Sequence, residues 1–221
     1  MKKLLSEFLG TFALIFAGTG AIIINQVSGG AITHVGIAIT FGLIVLAMIY
    51  TLGDISGAHL NPAVTIGFCV ARRMIWREAI PYIVSQAAGA FAASGVLRFL
   101  FPDHATLGGT IPTGSAGQSF VLEFILTFFL MFVILGVSTG AKEKGITAGI
   151  AIGSVIAVEA MFAGPICGAS MNPVRSLAPA VVSGNMSQLW IYLLAPPLGA
   201  IAAVFACCGV REPGCCKKIP Q

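Results

Sequence analysis

Apolar residues in this chain come in long unbroken runs, not in the alternation of half-buried strands or the stripes of soluble helices. Six runs stand out, at 4–27, 35–52, 79–101, 119–137, 145–163 and 188–208. Each approaches the ~20 residues a helix needs to cross a bilayer. In hydrocarbon the backbone must satisfy its own hydrogen bonds, so the runs are predicted to be helices. The short alternating segments of a β-barrel are missing. The start, Lys2-Lys3 before a long run, superficially resembles a signal peptide. The run is too long for that, contains Glu7 and lacks a small-residue cleavage site. It reads as a retained first span.

The pattern is written twice. "EFLGTFALIF" at 7–16 is answered by "EFILTFFLMF" at 123–132. "SGAHLNPAVTIGF" at 56–68 is answered by "CGASMNPVRSLAP" at 167–179, and "SQAAGAFAA" at 85–93 by "APPLGAIAA" at 195–203. Each half holds three spans, so the second half enters the membrane from the opposite side. This is the inverted repeat of transport proteins, whose path lies at the repeat interface. The expected organisation is a single transmembrane channel domain over 1–221, with repeats at about 1–110 and 111–208 and a cytoplasmic tail at 209–221.

Two half-length apolar segments lie between spans two and three and between spans five and six. Each begins Gly-Ala-x-x-Asn-Pro. Asparagine is a strong N-cap and proline favours the first helical position. Asn61-Pro62-Ala63 and Asn172-Pro173-Val174 therefore each start a short helix. About ten residues at ~1.5 Å each cross half a bilayer. The expectation is two re-entrant half-helices meeting near the midplane. Irregular backbone at that depth is tolerated only when buried or lining a water-filled cavity, so the segments before each Asn-Pro predict a pore.

Composition agrees with this picture. The chain is 57% hydrophobic and 9% charged, against about 25% charged in soluble domains. Lys2, Lys3, Arg72, Arg73, Arg77, Lys142, Lys144, Arg211, Lys217 and Lys218 fall on one side of the six-span arrangement, and only Arg98 and Arg175 lie elsewhere. Basic residues concentrate on the cytoplasmic side. A multi-pass protein of the plasma (inner) membrane with both termini cytoplasmic is expected. The net charge of +4 thus reflects topology. No basic face or reading motif points to nucleic acid.

The paired Asn-Pro boxes, Arg175 three residues after the second asparagine, and the two "EF…TF" helices resemble the aquaporin family, the major intrinsic proteins, along essentially the whole chain. The resemblance implies an all-α membrane protein with six tilted spans plus two half-helices, one pore per protomer, and a homotetramer. It also implies a constriction outside the Asn-Pro pair, formed here by Phe41, Ala160, Ala169 and Arg175. Strict water channels look to carry histidine where this chain has Ala160, so the aperture is expected to be wider and less polar. Val174 replaces the usual alanine of the second box. Ser176 and Ala180 stand where the glycerol branch would place Asp and Lys. Tyr192-Leu193 and "FAGPICGASMNP" at 162–173 look most like the plant nodulin-like metalloid channels and their prokaryotic relatives. They pass water and small uncharged hydroxylated species such as glycerol, urea or arsenous, boric and silicic acids.

Pore chemistry follows from these residues. Asn61 and Asn172 cap their half-helices through the side-chain oxygen, which leaves the amide N–H groups to face a solute. The carbonyls of Gly57, Ala58 and His59, and of Gly168, Ala169 and Ser170, are expected to form an acceptor ladder. Both half-helices aim positive dipole ends at the midplane, disfavouring cations and protons.

A carboxylate inside a span is expensive and needs partners. Glu7 and Glu123 are expected to accept backbone N–H groups of the two re-entrant loops. Glu159 reads as a third loop brace or as a pore-side acceptor beside Ala160. His59 contributes a carbonyl and a static hydrogen bond or senses pH, and His34 and His104 read as solvated loop residues. Cys69 reads as packing, and Cys167 as lying near a pore mouth where mercurials could reach it. Cys207-Cys208 and Cys215-Cys216 read as thiols on a reducing side, where structural disulfides are unexpected. Asn185 opens a glycosylation sequon that carries no meaning in a prokaryote. No phosphate loop, catalytic triad or paired catalytic carboxylates occur, so no enzyme activity, cofactor or metal is expected. The partners are small neutral solutes and membrane lipid. Competing readings are a strict water channel, a coupled secondary transporter, and a structural membrane protein with a closed pore.

Overall fold

The computed structural model describes residues 1–138 and 147–210, and every regular element among them is helical. The elements are α1 (Lys2–Val27), α2 (Thr33–Ser56), α3 (Pro62–Val70), α4 (Trp76–Leu100), α5 (Ala116–Val137), α6 (Ala148–Cys167), α7 (Pro173–Ser183) and α8 (Leu189–Val210). Six of them are long and apolar enough to cross a membrane. α3 and α7 are the half-helices. The expected start of the fifth span at Gly145 and the tail from Arg211 onward, with Lys142, Lys144, Cys215 and Cys216, lie outside the described residues.

Local chemistry sets the helix ends. Asn61 and Asn172 accept the N–H of Ala63 and Val174 at 2.9 and 3.1 Å, each with proline at the first helical position. Ser115 and Gln118 form a reciprocal capping box at the start of α5. α2 and α6 both end on a left-handed glycine, Gly57 and Gly168. The fifth span was expected to stop at Ala163. Instead α6 runs through Pro165 to Cys167.

Helices approach closely where side chains vanish. A Cβ on Gly89 would lie 2.3 Å from the Phe8 carbonyl oxygen, and one on Gly199 would lie 2.2 Å from that of Phe124. These contacts join α1 to α4 and α5 to α8. Gly42 of α2 and Gly153 of α6 meet through each other's carbonyls in the same way. Lipid tails are as apolar as leucine, so association rests on such close packing. Isoleucine, valine, leucine and phenylalanine predominate among the large apolar side chains exposed on the outside. With six alternating spans, the start of α1 at Lys2 and the end of α8 at Val210 share one face, hereafter the terminal face.

Candidate functional site

α3 and α7 begin near the middle of the bundle and run to opposite faces. Their N-termini are joined crosswise. Asn61 Nδ2 donates to the Met171 carbonyl at 2.7 Å, and Asn172 Nδ2 donates to the Leu60 carbonyl at 3.0 Å. This corrects the expectation that both asparagine amides are wholly free. A primary amide has two hydrogens; one is spent across the junction and one remains for a solute.

The loops that precede the asparagines hold unusual backbone. Ala58, Leu60, Ala169 and Met171 all have positive φ, between 42° and 53°. Such conformations cost roughly 1–3 kcal/mol each outside glycine, so the surroundings must enforce them. Glu7, fully buried, does this for the first loop. Its Oε1 accepts from the Ser56 hydroxyl at 2.7 Å and His59 N–H at 3.0 Å. Its Oε2 accepts from Leu60 N–H and Gln86 Nε2, both at 2.8 Å. Glu123 does the same in the second loop, accepting from Ser170 N–H at 2.8 Å and Met171 N–H at 2.9 Å. Tyr82 donates to the Ser56 carbonyl, and Tyr192 to that of Cys167, so each loop is also pinned at its entrance.

One cavity of about 630 Å³ follows these loops. It runs from Tyr50, Asp54 and Ser138 at the terminal face, past Asn61 and Asn172, to Phe41 and Arg175. Gly57, Ala58, His59, Ala169 and Ser170 line it, and so does Ala160; Gly168 does not. Pro62, Ala63, Pro173 and Val174 sit buried behind the junction rather than in the wall. The side facing the loops is apolar, with Val45, Ile152 and Ile156 among its residues. Polar groups thus follow one stripe along a greasy conduit.

Arg175 is 2% exposed. Its Nη1 donates to the Gly108 carbonyl at 2.9 Å, and its guanidinium lies 5.0 Å from the centre of the Phe41 ring. The connection between α4 and α5 was missed as part of the site. Its Gly108, at φ +68, folds against the Thr19 backbone and presents its carbonyl to Arg175. Thr110 donates to Ser176, which pairs with Ser170 at 2.6 Å, tying this connection to the second loop. The Gly- and Thr-rich string "TLGGT" at 106–110 was the available signal.

Several expectations need correction. Glu159 is buried at 4% exposure but makes no hydrogen bond to either loop, and its Oε2 has no partner. The N–H groups of Ser170 and Met171 already go to Glu123, so Glu159 braces neither. Glu159 does not line the cavity either. Replacing it with leucine should therefore stabilise the protein by about 1–3 kcal/mol, read as a raised thermal midpoint in detergent.

His34 is not simply solvated, because its Nε2 bonds the Met161 carbonyl at 2.6 Å. His104 Nδ1 accepts from Leu107 N–H at 3.0 Å; burial, and then the Arg98 guanidinium, lower its pKa below the ordinary imidazole value. Cys167 is fully buried and off the cavity wall, so it offers mercurials no direct access. Cys207 and Cys208 are disulfide-bonded, contrary to the reducing-side expectation. His59 is held by Thr65 Oγ1 at 3.1 Å and stacks on Phe68, a static placement.

Comparison with known proteins places this geometry among relatives. A sequence model of the family described as Major intrinsic protein matches residues 1–207. Aquaporin NIP1-1 of Zea mays is 48% identical over 207 residues, covering 93% of this chain and 73% of that protein. Nodulin-26 of Glycine max is 50% identical over 206 residues, covering 93% and 76%. The X-ray structure of the aquaglyceroporin from Plasmodium falciparum superposes with a TM-score of 0.84 at 26% identity, covering 92% of this chain and 93% of that one.

Proposed function

The chain belongs to the major intrinsic protein family, a family of membrane channels, and from that premise we propose that it passes small uncharged solutes passively. Water and small hydroxylated molecules such as glycerol and arsenous acid are the permeants, and protons and ions are excluded. The observation that carries this reading is the wall beside Arg175, where Phe41 and Ala160 offer an apolar face with no second hydrogen-bonding side chain. A glycerol-like molecule has one hydroxylated and one hydrocarbon side. It matches a conduit that is polar on one stripe and apolar on the other.

Selectivity against charge has two sources. Each half-helix N-terminus carries roughly half a positive charge, and both point at the junction near Asn61 and Asn172. Arg175 adds a fixed cation beside Phe41. A neutral hydroxyl can accept from the spare asparagine hydrogen and donate to loop carbonyls, replacing its hydration; a cation meets repulsion at both points. The protein is proposed to act as a homotetramer in the plasma (inner) membrane, with the terminal face cytoplasmic. That assignment is supported by the placement of Lys2, Lys3, Arg72, Arg73 and Arg77 on that face.

Stopped-flow light scattering on proteoliposomes tests the reading. Water flux is driven by an impermeant osmolyte, and glycerol, urea and arsenous acid are presented as solutes. Solute uptake well above that of empty vesicles is the expected result. Fast water flux with no solute uptake would make this a strict water channel, and no flux of either kind would leave a structural protein with a closed pore.

A further inference from the structure

We propose that His34 is a positioning residue for the constriction, acting through the carbonyl that Pro165 leaves without its helical donor. In an α-helix the Met161 carbonyl would accept from the N–H of residue 165, but proline has none. Within a membrane such a freed carbonyl must be satisfied from outside its helix. His34 Nε2 lies 2.6 Å from it. A carbonyl can only accept, so Nε2 carries the hydrogen. The imidazole also packs on Gly164, where a Cβ would come within 2.8 Å of its Cε1. The end of α6 is thus seated on the start of α2 by a hydrogen bond and a glycine notch. Thr113 secures the same turn from the other side, donating its hydroxyl to the Pro165 carbonyl at 2.8 Å and its N–H to that of Ile166 at 2.9 Å.

Position turns this contact into a determinant of aperture. Met161 directly follows Ala160, and Gly168 and Ala169 follow the clamped turn. Phe41 lies seven residues after His34 on α2, two turns along on the same face. Ala160 and Phe41 therefore belong to the two helices that the clamp holds together, and both line the cavity. A proline-weakened turn without this donor would let Ala160 drift relative to Phe41 and Arg175. The argument that the aperture selects among solutes rests on the functional reading above; the clamp itself does not.

The test compares His34→Ala, Pro165→Ala and the double variant, with His34→Gln as the donor-preserving control. Two quantities are read: the glycerol-to-water permeability ratio in proteoliposomes and the thermal midpoint in detergent. Alanine at 165 restores the N–H that Met161 lacks, which makes His34 dispensable. His34→Ala should change the ratio by about threefold or more and lower the midpoint by about 4 °C. His34→Gln should stay near the natural protein, and in the Pro165→Ala background the loss of His34 should move neither quantity appreciably.

The proposal is wrong if His34→Ala changes neither, or changes both equally in the two backgrounds. A midpoint shift without a ratio shift also overturns it, reducing His34 to a stability contact. If His34→Ala does not fold, recovery of folded protein in the double variant supports the clamp and failure to recover it refutes it. If the natural protein passes neither water nor glycerol, the functional reading fails, and the midpoints still decide whether the clamp exists.

Discussion

Glu7→Leu should yield almost no monodisperse protein on size-exclusion chromatography. Four donors converge on this carboxylate, from Ser56, His59, Leu60 and Gln86. Leucine leaves them facing hydrocarbon. Each buried orphan costs about 1–3 kcal/mol, and two of them are backbone groups of a loop already held at positive φ at Ala58 and Leu60. The total is comparable with the ~5–15 kcal/mol net stability of an ordinary domain. Glu7→Gln keeps one acceptor oxygen but turns an amide N–H₂ toward donors, so a loss of about 2–3 kcal/mol is expected, with folded protein recovered at lower yield and unchanged selectivity. Normal yield combined with altered solute selectivity would instead put the Glu7 carboxylate in contact with permeants.

Ala160→His should reduce glycerol permeability by about tenfold or more while water falls by no more than roughly threefold. The imidazole would stand beside Phe41 and Arg175, where now only a methyl group reaches the cavity. It adds bulk that a three-carbon polyol cannot pass and a polar group that a water molecule can use. Even one methylene in a pocket shifts discrimination by ~10-fold or more, and a ring is several times larger. The comparison is made in proteoliposomes at matched protein content. Equal losses of water and glycerol would show that Ala160 does not set the width.

The helices were legible because a lipid-facing helix must be apolar over its whole length, and no other signal competes. Their ends were less so. The fifth apolar run ends at Ala163, yet α6 continues four residues further through Pro165, where His34, distant in sequence, supplies the missing donor. The asparagine caps could be read from Asn-Pro alone, because a cap is a local arrangement. The crossed bonds to Met171 and Leu60 could not, because they depend on two loops about 110 residues apart meeting end to end. Glu7 and Glu123 were legible as braces from their repetition. Glu159 misled because its cost was visible in the sequence, while the prior engagement of Ser170 and Met171 N–H by Glu123 was not. The inward reach of Gly108 to Arg175 was hidden for a different reason: a polar connection between spans looks solvated unless its carbonyl is known to meet a buried cation.

The crossed asparagine bonds have the logic of a self-complementary dimer interface carried within one polypeptide. Residue i of one half binds residue j of the other, and j's counterpart binds i's, as in an isologous contact between identical subunits. The two halves therefore cannot be tuned separately. A shift of the Leu60 backbone moves the carbonyl that Asn172 holds, and a shift of the Met171 backbone moves the one that Asn61 holds. Paired substitutions across the junction should depart from the sum of their single effects. Sequence drift in either half is thus constrained by a partner that the same gene must always supply.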